Sequence, residues 1–259
     1  MRRTDGADLA VVREDLADVP LRAWWQGGVA LPGALGRGGV RVIEVGGHAV
    51  VIRRHRRGGA LRHLLPDRFR SPDRAVEELA VTAELASRGV LVAEPLAALA
   101  HRAGLGFELA FATILVRDSS PLPDFVARYP ALRDAALRGA GALVARAFAA
   151  GLRHPDLHPG NLLARASATG TVDIVLIDLD RARLVATVSE AQRDAMLVRM
   201  ARWLWRHASK LDVTVRARDF AEFLRGMGLV RAERRLAWDR MARKLRWSLV
   251  WRGIGMARR

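Results

Sequence analysis

The sequence predicts an α+β fold in two parts, a β-rich first part carrying one helix and a mainly helical second part. Three observations lead there. Val40, Val42 and the run His48 to Ile52 flank the pair Gly46-Gly47, the pattern of a hairpin. A single amphipathic stretch, EELAVTAELASRG, follows the start signal Ser71-Pro72-Asp73, with Leu79, Ala83 and Ala86 at helical spacing and Gly89 as its end. From Ala131 onward the apolar positions Leu137, Val144, Phe148 and Leu152 keep a helical period, and the remainder of the chain continues that character.

Taken in order, residues 1–20 are polar and weakly periodic. Trp24, Trp25 and Gln26 lead into a glycine-dense segment that reads as strand, loop, strand up to Arg54. After the helix, Phe107 to Val116 reads as a buried strand, and the turn signal from Asp118 through Ser119, Ser120 and Pro121 to Pro123 ends the β-rich part. We therefore expect one domain over residues 1–259, with a first lobe over 20–117 and a second over 118–259. In the second lobe, Leu162-Leu163 and VDIVLI (172–177) flank ASATGT, two short strands joined by a turn. Ser189 and Gln192 have the spacing of a capping box, and Met196, Leu197, Met200 and Leu204 extend one helical face.

The composition narrows the functional classes. Cysteine is absent, which removes disulfide frameworks, thiolate metal sites and cysteine nucleophiles, and favours a reducing compartment. The opening MRRTDGADLA has no apolar signal region, and no segment reaches the roughly 18 uncharged apolar residues of a membrane span, so a soluble or peripheral protein is expected. The formal charge is +16, and all 43 basic residues except Lys210 and Lys244 are arginine. Codon bias can exchange lysine for arginine but cannot create a surplus of positive charge, so an anionic partner is expected. One tyrosine and no recognisable reading helix leave nothing beyond charge to support base contacts, and no specific nucleic-acid partner is expected.

The most informative segment is His154-Pro155-Asp156-Leu157-His158-Pro159-Gly160-Asn161. It keeps the H-x-D-L-x-x-x-N spacing of protein-kinase catalytic loops, in which the Asp meets the acceptor hydroxyl and the Asn holds a metal ion. Phosphoryl transfer asks little covalent work of a protein. It needs a carboxylate to orient the hydroxyl and Mg²⁺ to neutralise phosphate charge. Asp156 suits the first task as the catalytic residue and Asn161 the second. IVLIDLD (174–180) then delivers Asp178, a second candidate metal ligand, at a strand end. Asp180 follows, with Arg181 and Arg183 near enough in sequence to be its ion-pair partners. A G-x-x-x-x-G-K-[S/T] phosphate loop is absent. These features together point to an ATP- and Mg²⁺-dependent kinase of the protein-kinase-like fold.

Upstream, GALGRGG (33–39) offers backbone amides at Gly36, Arg37, Gly38 and Gly39 suited to nucleotide phosphates, although the same stretch suits an ordinary hairpin. The strand VVIR (50–53) ends on Arg53, where a kinase would carry lysine, and no lysine precedes position 210. Glu78 on the following helix is its natural partner, with Glu77 and Glu84 as alternatives. Arg53 opens RRHRRGG, in which Arg56 and Arg57 are candidate contacts for an anionic acceptor or part of a solvated loop; His158 and Asp180 join them as candidate substrate contacts. The C-terminal RKLRWSLVWRGIGMARR (243–259) suits either an interfacial helix on an anionic membrane or a last helix packed with Trp247 and Trp251 buried.

GRGG (36–39), IRRHRRGG (52–59), Glu78-Leu79 with Gly89, DLHPGN (156–161) and IDLDRAR (177–183) occur in order and at compatible spacing. On these the chain resembles the bacterial lipopolysaccharide kinases, closest to those acting on 3-deoxy-D-manno-octulosonic acid (Kdo). The arginine-rich stretch ending in Arg57-Gly58-Gly59 is the part that looks particular to that family. His55 stands where an aromatic residue is expected. The resemblance implies transfer of the ATP γ-phosphate to a Kdo hydroxyl on lipid A, at the cytoplasmic face of the bacterial inner membrane. It also implies Asp156 as catalytic carboxylate, Asn161 and Asp178 on Mg²⁺, and Arg53 with Glu78 as the phosphate-positioning pair. A core heptose, a small sugar, an aminoglycoside or a protein remain alternative acceptors, and a pseudokinase is kept open by the missing strand lysine.

Overall fold

In the computed structural model residues 1–31, 39–56, 67–167, 170–211 and 214–256 are described, with side chains to Leu245. The chain divides into two compact units. The first holds Met1–Arg88, Val92–Arg117 and Leu179–Ala182, and the second holds Gly89–Leu91, Asp118–Asp178 and Arg183–Arg259.

The first unit is built on a seven-stranded antiparallel sheet of β1 (Arg2–Asp5), β2 (Asp8–Val12), β3 (Val29–Ala30), β4 (Val40–Val45), β5 (His48–Arg54), β6 (Pro95–Ala103) and β7 (Gly106–Ile114). Their order across the sheet is β1-β2-β6-β7-β5-β4-β3. The β4–β5 hairpin forms where the sequence places it: Gly46 and Gly47 have φ of 56° and 77°. Two successive left-handed residues make the tight turn whose twist suits a hairpin, and glycine adopts them without a Cβ penalty. Residues 1–20 depart from the sequence reading, because β1 and β2 form a hairpin and β2 pairs with β6 from Asp8↔His101 to Val12↔Ala97. The reason is visible in the exposure. β1 is almost wholly solvated, so backbone hydrogen bonds rather than an apolar pattern hold it, and sequence periodicity is silent about such a strand.

Helix α1 (Asp73–Ser87) lies on one face of the sheet. Strand β6 explains how both faces are covered: Ala98 and Ala100 pack with Ala75 of α1, whereas Leu96 and Leu99 join Trp24, Val50 and Ile52 in the core of the other face. Alanines under the helix let it approach the sheet closely. Fully buried side chains such as Ile52 and Leu99 each contribute roughly 1.5–3 kcal/mol of burial.

The second unit begins with β8 (Ser120–Pro121) and α2 (Leu122–Arg128), followed by α3 (Arg133–Ala149) and β9 (Leu152–Arg153). Next come β10 (Leu162–Ala166), β11 (Val172–Leu176), β12 (Arg183–Leu184), α4 (Glu190–His207), α5 (Ala217–Gly226) and α6 (Arg231–Met256). The predicted pair of short strands is the β10–β11 hairpin, to which β8 adds on the β10 side. The Ser189–Gln192 capping box is formed at the start of α4. Leu152 does not continue α3 as its spacing suggests; it lies in β9, which pairs with β12. Helices α3 and α5 pack closely: a Cβ on Gly141 would fall 1.9 Å from the Phe223 carbonyl oxygen, and one on Gly226 2.0 Å from that of Arg138. Arg133–Asp219 and Arg138–Glu222 ion pairs close the same contact. Among the described residues no helix is long and apolar enough to cross a membrane.

Candidate active site

The second unit organises the loop from His154 to Asn161 through backbone contacts. His154 is buried, and its two ring nitrogens face opposite demands: Nε2 lies 2.8 Å from the Asp178 carbonyl oxygen, and Nδ1 accepts the Asp156 backbone N–H at 3.1 Å. A carbonyl can only accept and an N–H can only donate, so these partners assign the ring proton to Nε2. One neutral histidine thereby fastens the loop to the segment after β11. Leu157 is buried and anchors the loop from below, while the Asp156 side chain keeps 74% of its surface exposed.

Asn161 is buried at the end of a short turn over Pro159–Asn161. Its Nδ2 donates to the Asp156 carbonyl at 3.2 Å, and Oδ1, a hard oxygen donor, takes no part in that bond. The hairpin register Leu162↔Leu176 sets Asn161 beside Ile177, whose N–H donates to the Asn161 carbonyl at 2.9 Å. Asp178 comes next, with φ of 58°. A left-handed non-glycine residue is strained, and such strain collects at functional positions.

The first unit contains a different kind of cluster. Nη2 of Arg53, at the end of β5, donates to both carboxylate oxygens of Glu78 on α1, at 2.5 and 2.6 Å. Of the alternative partners, Glu77 is exposed and Glu84 pairs with Arg88 at 2.8 Å. Burial pushes the Glu78 carboxyl upward, but the Arg53 charge and His55 outweigh it and leave the group below its ordinary range, so it is ionised. Asp180 does not turn to Arg181 or Arg183 as its position in sequence suggests. It is clasped by Arg74, one turn before Glu78 on α1, through Nε at 2.7 Å and also through Nη2. Burial raises the Asp180 carboxyl, and the hydrogen bonds and charge of Arg74 more than offset that.

A model of the lipopolysaccharide kinase (Kdo/WaaP) family matches residues 22–226. The chain belongs to this family. It is 29% identical over 222 residues to 3-deoxy-D-manno-octulosonic acid kinase of Xylella fastidiosa (strain 9a5c), covering 84% of each chain. The enzyme of the same name from Xanthomonas euvesicatoria pv. vesicatoria (strain 85-10) is 32% identical over 215 residues, or 79% of this chain and 78% of its own. Among solved structures, WaaP in complex with acyl carrier protein superposes with a TM-score of 0.60 at 19% identity, over 92% of this chain and 98% of that one. The fold is thus protein-kinase-like, and the chain is a phosphotransferase acting on a hydroxyl group.

Other sequence-predicted residues of this lipopolysaccharide kinase family member are placed unevenly. His158 stacks on Trp203, with ring centroids 4.9 Å apart and planes 7° from parallel, and Trp203 stacks in turn on His207. Nε2 of His158 is 4.0 Å from Asp156 Oδ2. Burial lowers the pKa of this imidazole, against the opposite pull of Asp156 and Asp178. Arg56 is half exposed and reaches Asp67 at 3.9 Å. Gly39 precedes β4 with φ of 108°, and Gly36, Arg37, Gly38 and Arg57 lie outside the described residues, as do the side chains of Trp247 and Trp251. Sequence reasoning did not single out His154, Arg74 or His55 as site residues. The i, i+4 spacing of Arg74 and Glu78 on a helix, and the i, i+2 spacing of Arg53 and His55 along a strand, were signals that each pair shares a face.

Proposed function

We propose that this chain transfers the γ-phosphate of ATP to a hydroxyl of Kdo carried on lipid A. The hydroxyl oxygen attacks the γ-phosphorus, the bond to the bridging β,γ-oxygen breaks, ADP leaves, and the hydroxyl proton passes to Asp156. The observation that carries the reading is the locked loop: His154 holds the Asp156 backbone to Asp178 while the Asp156 carboxylate stays solvent-presented. Asn161 Oδ1 and the Asp178 carboxylate are hard oxygen donors, a set that fits Mg²⁺, which when bound neutralises charge on the phosphates.

Arg53, oriented by Glu78, takes the part of the usual strand lysine and grips phosphate through a guanidinium. Gly36, Arg37, Gly38 and Gly39 cover the phosphates, and Arg56, Arg57 and His158 meet the acceptor. The net charge of +16 suits an acceptor bearing a carboxylate and phosphates, presented at the cytoplasmic face of an anionic membrane. The curated relatives named as Kdo kinases support this choice of acceptor.

The test is incubation with ATP, Mg²⁺ and Kdo-bearing lipid A precursor, read by mass for one added phosphate. Product is expected only with Mg²⁺ present. Turnover of a heptose, aminoglycoside or protein acceptor with none of the Kdo precursor would overturn the substrate assignment, and absence of any ATP turnover would leave a pseudokinase.

A further inference from the structure

Four charged side chains of the first unit, Arg53, Glu78, Asp180 and Arg74, form two ion pairs on either side of His55. The His55 ring is 1% exposed. Its Nε2 lies 2.9 Å from Glu78 Oε2 and 4.0 Å from Asp180 Oδ1. Arg53 takes the other side of Glu78, Arg74 takes the far side of Asp180, and the Arg74 guanidinium sits 4.9 Å above the Phe69 ring. Phe69 in turn meets the His55 ring edge-on, with centroids 6.4 Å apart. The backbone supports the same arrangement: the His55 N–H donates to the Leu109 carbonyl at 2.8 Å, continuing the β5 edge, so Arg53 and His55 point to the same face.

A histidine, a glutamate and an aspartate this close have the look of a cation site. The arginines argue otherwise. Each carboxylate is already neutralised by a guanidinium, and a dication would enter the same buried space against both. Among the described residues His55 Nδ1 has no hydrogen-bond partner, and Nε2, despite its short distance to Glu78, is not aligned for a full hydrogen bond. Burying a ring on such terms is unfavourable unless its position matters.

We infer that His55 is a positioning residue of the nucleotide-phosphate site, joining Glu78 to Asp180 so that Arg53 is held at one fixed orientation. Glu78 alone leaves its carboxylate free to rotate about the side-chain axis. With the His55 ring packed 2.9 Å from Oε2 on one side and Arg53 on both oxygens on the other, the carboxylate has little room to turn, and the guanidinium is held with it. Asp180 and Arg74 form the outer brace, tying the Leu179–Ala182 segment that follows Asp178 in the chain to the same helix. The inference rests on the proposed role of Arg53 toward ATP, and it names His55 as the residue through which that role depends on Asp180.

The experiment measures binding of ATP with Mg²⁺ to the full chain by titration calorimetry, which needs no acceptor. His55→Asn keeps a small polar side chain that cannot reach the Nε2 position, and His55→Gln places an amide there. We expect His55→Asn to weaken ATP binding about tenfold and His55→Gln to stay within about threefold of the parent. In an Arg53→Ala background, which weakens ATP binding by itself, His55→Asn is expected to add nothing, because its effect passes through the arginine. Parent-like binding by His55→Asn, or a further full loss in the Arg53→Ala background, would overturn the inference. So would a His55→Gln variant as weak as His55→Asn. Failure of the parent chain itself to bind ATP would instead sink the functional reading beneath it.

Discussion

The Arg53–Glu78–His55–Asp180–Arg74 cluster and the His154–Asn161 loop treat charge in opposite ways. In the cluster two carboxylates and two guanidinium groups are withdrawn from water and neutralised in pairs, with Glu78 wholly buried. In the loop the Asp156 carboxylate remains mostly in solvent, and the loop backbone is held by the His154 ring, backbone amides, the Asn161 side chain and the Arg199 guanidinium, which donates to the His154 carbonyl at 3.2 Å. Buried pairs resist reorientation, so a guanidinium held in one presents its remaining N–H donors at a fixed angle. A solvated carboxylate on a fixed backbone keeps its charge open to solvent. On the proposed function, the first would orient phosphate and the second would take the hydroxyl proton.

Substitution can break that distinction, and the largest effect is expected at Asp156. Asp156→Asn should lower kcat by about 10²–10⁴-fold, the usual worth of a positioned proton acceptor, while the denaturation midpoint stays unchanged because the side chain is exposed. A loss of folded stability comparable to the loss of rate would show that Asp156 is structural. Glu78→Gln should do the reverse in kind. It leaves Arg53 and His55 around a neutral amide, and urea unfolding should report a cost of about 3 kcal/mol. If stability is untouched, the cluster is not braced as described.

A smaller effect sharpens the contrast through pH. His158 is a base whose folded pKa is depressed by burial, so below its ordinary value of 6.5 the unfolded chain takes up a proton that the folded chain resists. Its contribution to stability is therefore intact above that pH, and declines as pH falls from there through the folded pKa. Glu78 and Asp180 have depressed carboxyls, so their contribution is present above the ordinary carboxyl range and disappears only as pH falls through their lower folded values. Unfolding midpoints measured across pH should show the histidine step first, and His158→Gln should erase that step alone. Persistence of the step in the variant would assign it elsewhere.

Much of the candidate loop was legible because its motif spacing is local. Asp156, Asn161 and Asp178 are named by spacing within two short segments, and the β10–β11 strands between them announce themselves through Leu162-Leu163 and VDIVLI. The hairpin at Gly46-Gly47 and the capping box at Ser189 were equally local, each decided by a few neighbouring residues. The strand β1 was not, since its hydrogen bonds lie across the sheet and its side chains face water.

The sequence by itself determined the α+β class and the reaction type and singled out the candidate loop residues, because turn chemistry, hydrophobic period and motif spacing act over a few residues. Only the tertiary structure decided that Asp180 answers to Arg74, more than a hundred residues earlier in the chain, rather than to the adjacent arginines. Only it placed His55 between Glu78 and Asp180. Charge pairing depends on which side chains are desolvated together, and that is settled by how strand and helix pack, not by their distance along the chain.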